Sequence, residues 1–153
     1  MNTETKFSPK IYWQNRLTKD FSLSGAGYKG LGIPFNNWMY KLRKHIFLEE
    51  IKKFVKDPSK AYILDLGCGT GFLVELWKSL GVKNLEGVDI TEVSIKNLRK
   101  IYPQYRFYQI DISFHQIFLE LRKNLMLLLL PTYYFTLLMT TDIHQPSGTS
   151  ANY

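Results

Sequence analysis

The stretch Ile63-Leu64-Asp65-Leu66-Gly67-Cys68-Gly69-Thr70-Gly71 runs an apolar strand signal straight into three alternating glycines. The strand reads Ala61-Tyr62-Ile63-Leu64-Asp65, and a helix is expected after the glycines, from Phe72 to Leu80, stopped by Gly81. Working outward, Leu85-Glu86-Gly87-Val88-Asp89 is a second strand. Thr91 caps a helix with Val93, Ile95 or Leu98, and Ile101 inward, and Pro103 breaks it. Arg106-Phe107-Tyr108-Gln109-Ile110-Asp111 is a third strand. Strand, helix, strand, helix, strand is the order that builds a parallel sheet with right-handed crossovers, so the fold class is α/β. No internal repeat is visible.

The glycine loop between strand and helix lets the backbone approach a ligand closely, beside free N–H groups at the helix start. A dinucleotide fold uses G-x-G-x-x-G, whereas Gly67, Gly69 and Gly71 give G-x-G-x-G. Asp65 stands two residues before the first glycine, where its charge would repel a pyrophosphate. A ligand with a sulfonium and an amino group is instead cationic and is favoured by that carboxylate. Asp89, eighteen residues after Gly71, ends the second strand and can accept from ribose hydroxyls. Asp111 ends the third strand, suited to an adenine amino group, and Ile90 or Ile112 can flank the ring. Each acid alone is an ordinary strand-end residue. Three at successive carboxyl ends, with the glycine loop, line the crevice where open α/β sheets bind ligands.

Residues 62–112 resemble the class I S-adenosylmethionine (SAM)-dependent methyltransferases. Asp65 to Gly71 matches that family's first motif, Asp89 its ribose-binding acid and Asp111 its adenine-contacting acid. Upstream, Tyr12-Trp13-x-x-Arg16-Leu17, Gly27-Tyr28-x-Gly30-Leu31-Gly32 and Asn37-Trp38-x-Tyr40-x-x-Arg43 are similar to the N-terminus of one bacterial branch. The resemblance implies a Rossmann-like fold, S-adenosyl-L-methionine as cofactor, and methyl transfer to an acceptor. The cofactor-binding set it implies is Asp65, Leu66, Gly67, Cys68, Gly69, Gly71, Asp89, Ile90, Asp111 and Ile112. It implies a general base, where one assists, from beyond the fourth strand. Tyr12, Tyr28 and His45 are weak acceptor-side candidates on an N-terminal lid. The competing readings are a nucleotide- or NAD-binding module and a noncatalytic, membrane-associated fragment.

The 153 residues are room for one domain, and 45% apolar content is that of a globular chain. The formal charge of +7 is spread, with clusters at Lys41-Leu42-Arg43-Lys44 and Lys52-Lys53. It reads as a solvated surface without a strong nucleic-acid signal, and a small-molecule acceptor is expected. Cys68 is the one cysteine, so no disulfide forms within the chain and a cytoplasmic setting is expected. It is not expected to act as a nucleophile, since no base stands beside it. His45, His115 and His144 lack metal-ligand spacing. Four glycines within residues 25–32 suggest a mobile loop, followed by a helix from about Asn37 to Val55. Its inward face is expected to be Trp38, Leu42, Ile46, Phe47, Ile51, Phe54 and Val55, with Asn36 or Asn37 as cap.

The tail breaks the family pattern. Leu125-Met126-Leu127-Leu128-Leu129-Leu130, resumed after Pro131 to Met139, is apolar but shorter than the roughly 20 residues that span a bilayer. From Asn124 onward, the third base of each codon read with the first two of the next permits a string opening Phe-Asp-Val-Val. That string resembles the family's fourth strand and following helix. The tail is therefore expected to be a frameshift product, with weak or absent cofactor binding and no turnover. A genuine tail would instead form a buried strand pair or an interfacial segment. The expected organisation is an N-terminal lid over 1–56, a SAM-binding core over 57–123, and an aberrant or disordered tail over 124–153. Three strands alone would leave an exposed edge and an unpacked apolar face.

Overall fold

A computed structural model of the chain describes residues 7–112 and the backbone of 126–129 and 135–139. Three strands, β1 (Tyr62–Leu66), β2 (Asn84–Asp89) and β3 (Arg106–Gln109), pair in parallel. They are connected by α4 (Phe72–Ser79) and α5 (Glu92–Ile101). The expected α/β class, Rossmann-like order and element sequence are thus present. The third strand is shorter than its sequence suggests: it ends at Gln109, and Ile110 N still donates to Asp89 O at 2.9 Å.

The free edge expected beside β1 is covered. Strand β5 (Phe135–Met139) pairs antiparallel with β1, and β4 (Met126–Leu129) pairs antiparallel with β5, giving the order β3-β2-β1-β5-β4. A parallel fourth strand needs a crossover, whereas an antiparallel pair closes with a short connection. Two apolar runs separated by Pro131 suit that hairpin. The rest of the tail, including the end expected to be disordered, lies outside the described residues.

One core cluster lies between the sheet and its helices. Ile63, Leu85 and Phe107 meet Leu73, Val74 and Trp77 of α4, Ile95 and Leu98 of α5, and Phe47 and Ile51 of α3 (Gly32–Phe54). Trp77 is wholly buried and meets Phe47 edge-on at 4.9 Å. Leu64, Leu66 and Val88 project to the other face and are buried in a smaller cluster with Ile110. The apolar face expected to stay unpacked is therefore shielded at these positions.

The N-terminal region is more ordered than its glycines suggest. Helix α1 (Pro9–Lys19) is capped by Ser8, and the short α2 (Leu23–Ala26) by Ser22. The expected mobile loop is packed instead: a Cβ at Gly27 would strike Asn36 Oδ1, and one at Gly25 would strike Asp20 O. Helix α3 begins five residues before Asn37. Asn36 does not cap it. Its buried side chain accepts from Tyr28 N at 2.8 Å and donates to Tyr28 O and Gly32 O at 2.9 and 2.8 Å. Trp38, Leu42 and Ile46, expected inward, are 59%, 42% and 40% exposed, while Met39, Tyr40, Phe47 and Ile51 are buried. In α5, Ile95 and Leu98 face inward as expected, but Ile101 is exposed.

Candidate cofactor site

The glycine loop leaves the carboxyl end of β1 with three left-handed glycines: φ is +76° at Gly67, +49° at Gly69 and +85° at Gly71. An L side chain pays about 1–2 kcal/mol in that region, so the sequence puts glycine there. The three do different work. Among the described residues, a Cβ at Gly67 would meet nothing within 4 Å, and one at Gly69 only Gly67 O at 3.7 Å. Open space over these two admits a ligand against the backbone. Gly71 faces the other way, where a Cβ would stand 2.6 Å from Leu98 Cδ2. Its absence of side chain lets α4 pack on α5, so Gly71 shapes the loop from below rather than facing the crevice.

The loop amides turn toward the end of β2. Gly67 N and Cys68 N donate to Val88 O at 2.8 and 3.0 Å, and Gly69 N donates to Asp89 Oδ2 at 2.9 Å. A phosphate cradle requires such amides to point at the ligand. Here three successive amides are engaged by the protein, two by a carbonyl and one by a carboxylate. This geometry disfavours the pyrophosphate reading more strongly than the spacing did.

Asp65 lies beneath the loop and is fully buried, and its Oδ2 has no hydrogen-bond partner among the described residues. Burial, and then the charge of Asp89, push its carboxyl from 3.8 up to about 7. A buried carboxylate without a partner is costly. Asp89 is better served: Oδ1 accepts from Thr91 N at 2.8 Å and Thr91 Oγ1 at 2.6 Å, and Oδ2 from Gly69 N. A carboxylate has about four acceptor directions, so roughly one remains for a ligand.

The other expected site residues are placed unequally. Leu66 buries its side chain in the smaller core cluster, so it can offer a ligand only its backbone. Cys68 points into the main core, and burial foremost pushes its thiol well above the usual range, which removes it as a nucleophile. Ile90 is half-buried at the end of β2, where its carbonyl accepts from Gln109 Nε2 at 3.1 Å. Asp111 follows β3 half-buried, and Ile112 is 37% exposed. Thr91 stands at the N-cap position of α5 as expected, yet its hydroxyl serves Asp89 instead of the helix. Among the described residues no group of three or more His, Cys, Asp or Glu could share a metal ion, and no helix is long and apolar enough to cross a membrane.

A sequence model of the mRNA (guanine-N(7))-methyltransferase domain matches residues 33–121. The chain belongs to the class I SAM-dependent methyltransferases. It is 42% identical over 50 residues to a ribosomal protein L11 methyltransferase of Ruminiclostridium cellulolyticum, covering 33% of this chain and 15% of that protein. It is 30% identical over 84 residues to the mRNA cap guanine-N(7) methyltransferase of Schizosaccharomyces pombe, 55% of this chain and 21% of that protein. It is 33% identical over 102 residues to a malonyl-[acyl-carrier protein] O-methyltransferase of Halalkalibacterium halodurans, 63% of this chain and 36% of that protein. The chain thus spans between 15% and 36% of the length of these relatives. No solved structure matches it significantly.

These matches overturn the expectation of a small-molecule acceptor without a nucleic-acid signal. The matching family model and the fission-yeast relative are both named for mRNA. Residues 21–48 contain no Asp or Glu and carry Lys29, Lys41, Arg43 and Lys44.

Proposed function

We propose that this methyltransferase binds SAM at the carboxyl ends of β1–β3 and presents its methyl group to a base of RNA. The observation that carries the cofactor half is the buried, unpartnered Oδ2 of Asp65 beneath an open glycine loop. A cationic ligand offers that oxygen the compensation the protein withholds. Gly67 and Gly69 let the ligand lie against the backbone. Asp89 accepts from ribose with its remaining direction, fewer bonds than its sequence position suggests. Asp111 takes the adenine amino group, and Ile90 and Ile112 flank the ring. When bound, SAM supplies an already activated methyl group on sulfur. The protein's part is then chiefly to hold the acceptor in line, which accounts for much of the rate in such transfers. The acid-free basic stretch over 21–48 and the mRNA-named relatives support a polyanionic acceptor. A cytoplasmic setting belongs with this reading, where the single cysteine stays reduced.

Two measurements test it. Calorimetric titration with S-adenosylhomocysteine is expected to give one site, weakened to background by Asp65→Ala. Radiolabelled SAM is then offered with capped RNA, uncapped RNA, ribosomal protein and acyl-carrier protein, and label is expected in RNA. Absence of any S-adenosylhomocysteine binding refutes the cofactor half, and label in a protein acceptor refutes the RNA half.

A further inference from the structure

Helix α5 lacks the cap that its own turn offers. Thr91 occupies the N-cap position, but its hydroxyl bonds Asp89 Oδ1 at 2.6 Å and lies 2.8 Å from Ser94 Oγ, leaving no side-chain cap bond. The orphan amides at a helix start need acceptors. Gln14 supplies one from the far end of the chain: its Oε1 accepts from Glu92 N at 2.9 Å and Val93 N at 3.4 Å, across 78 and 79 residues of sequence. Gln14 belongs to α1, which Arg16 also ties to the glycine-rich segment by donating from Nη2 to Gly27 O. Asp89 lies three residues before Glu92 and also accepts from Gly69 of the glycine loop. Two sets of hydrogen bonds, joined by the backbone from Asp89 to Glu92, therefore link α1 through the start of α5 and the turn of Asp89 to the loop.

We propose that Gln14 is a positioning residue for the cofactor site: by capping α5 in trans it fixes α1 against the turn that carries Asp89, so docking of α1 and occupancy of the site are coupled. The coupling rests on the cofactor reading above, whereas the cap itself does not. Ligand bound at Asp89 steadies the turn whose amides Gln14 holds, and loss of Gln14 weakens the ligand in return, because such coupling is reciprocal. The series of side chains at position 14 separates this role from bulk packing. Alanine removes the acceptor. Glutamate keeps an acceptor of the same reach and adds a charge suited to a helix N-terminus.

The test compares wild type, Gln14→Ala and Gln14→Glu by amide hydrogen exchange and by S-adenosylhomocysteine titration. Gln14→Ala is expected to speed exchange at Glu92, Val93 and along residues 9–19, with exchange in α4 around Trp77 unchanged as the check on folding. Its affinity is expected to fall about fivefold, close to 1 kcal/mol at 1.4 kcal/mol per decade. Gln14→Glu is expected to restore both. Unchanged exchange in Gln14→Ala overturns the cap. Faster exchange with unchanged affinity overturns the positioning role. If wild type itself binds no S-adenosylhomocysteine, the cofactor reading and the coupling fall together, and exchange in the free chain still decides the cap.

Discussion

Replacing Asp65 by Asn removes the one buried carboxyl group that, among the described residues, has an oxygen without a hydrogen-bond partner. In the folded chain this group titrates at about 7 rather than 3.8, first because it is buried and second because Asp89 is near. A raised carboxyl pKa reverses the usual acid-denaturation sign. Between pH 3.8 and about 7 the unfolded chain has released the proton while the folded chain keeps it, so the folded state binds more protons and loses stability as pH rises. The roughly 3-unit shift, at 1.36 kcal/mol per unit, makes the full cost about 4 kcal/mol above pH 7. About 2–3 kcal/mol of it develops between pH 5 and pH 8. Urea denaturation of the cofactor-free protein at those two pH values measures this. Wild type minus Asp65→Asn is expected to show a difference that falls by about 2–3 kcal/mol on going from pH 5 to pH 8. A cationic ligand favours the ionised carboxylate, so binding of SAM, which carries both a sulfonium and an ammonium group, is expected to release a proton below pH 7 and to strengthen as pH rises toward it. Identical pH profiles for wild type and Asp65→Asn would refute the assignment of Asp65 as an uncompensated buried acid.

Gly67→Ala places a Cβ in open space at φ +76°, so it is expected to cost about 1–2 kcal/mol of backbone strain, leave the fold intact, and weaken S-adenosylhomocysteine by at least about tenfold in a titration. Gly71→Ala meets Leu98 Cδ2 at 2.6 Å with φ at +85°, and its effect is expected chiefly in the denaturation midpoint, with at least about 2 kcal/mol lost. A Gly71→Ala protein of wild-type stability would contradict the packing role. Sequencing the coding DNA across Asn124 decides between a genuine tail, with which the binding and turnover above are expected, and a frameshift product, with which weak or absent binding and no turnover are expected; a shifted frame that does not encode the Phe-Asp-Val-Val string ends the frameshift reading.

The features legible in the sequence are those written in local order. Apolar runs, glycines and Pro103 lay out β1, α4, β2, α5 and β3 in one direction, and the parallel sheet follows from that alternation. Which face of a helix is buried is not local. Trp38, Leu42 and Ile46 repeat every four residues as regularly as Phe47 and Ile51 follow one another, yet only the latter pair meets the sheet. Asn36 has the chemistry of a cap, but its neighbours Tyr28 and Gly32 turn it into a buried tie. The Leu-rich tail signals a strand without stating its direction, because an unalternating apolar run fits either face. Gln14 offers no signal, since its two donors lie at the other end of the domain.

The glycine loop shows where spacing and structure speak to the same question. Left-handed turns at Gly67 and Gly69 direct the amides of residues 67–69 back onto Val88 O and Asp89 Oδ2. Engaged in this way, those amides are not available to a phosphate. The same backbone feature that would cradle a phosphate thus disfavours it here, because of where its N–H groups point. Asp89 is what ties the two halves of that choice together: by accepting from Gly69 it occupies a donor, and by its charge it raises Asp65. Neutralising Asp89 should therefore relax both effects, so Asp89→Asn is expected to lower the carboxyl pKa of Asp65, read by the same pH-dependent denaturation, even while it weakens the ligand.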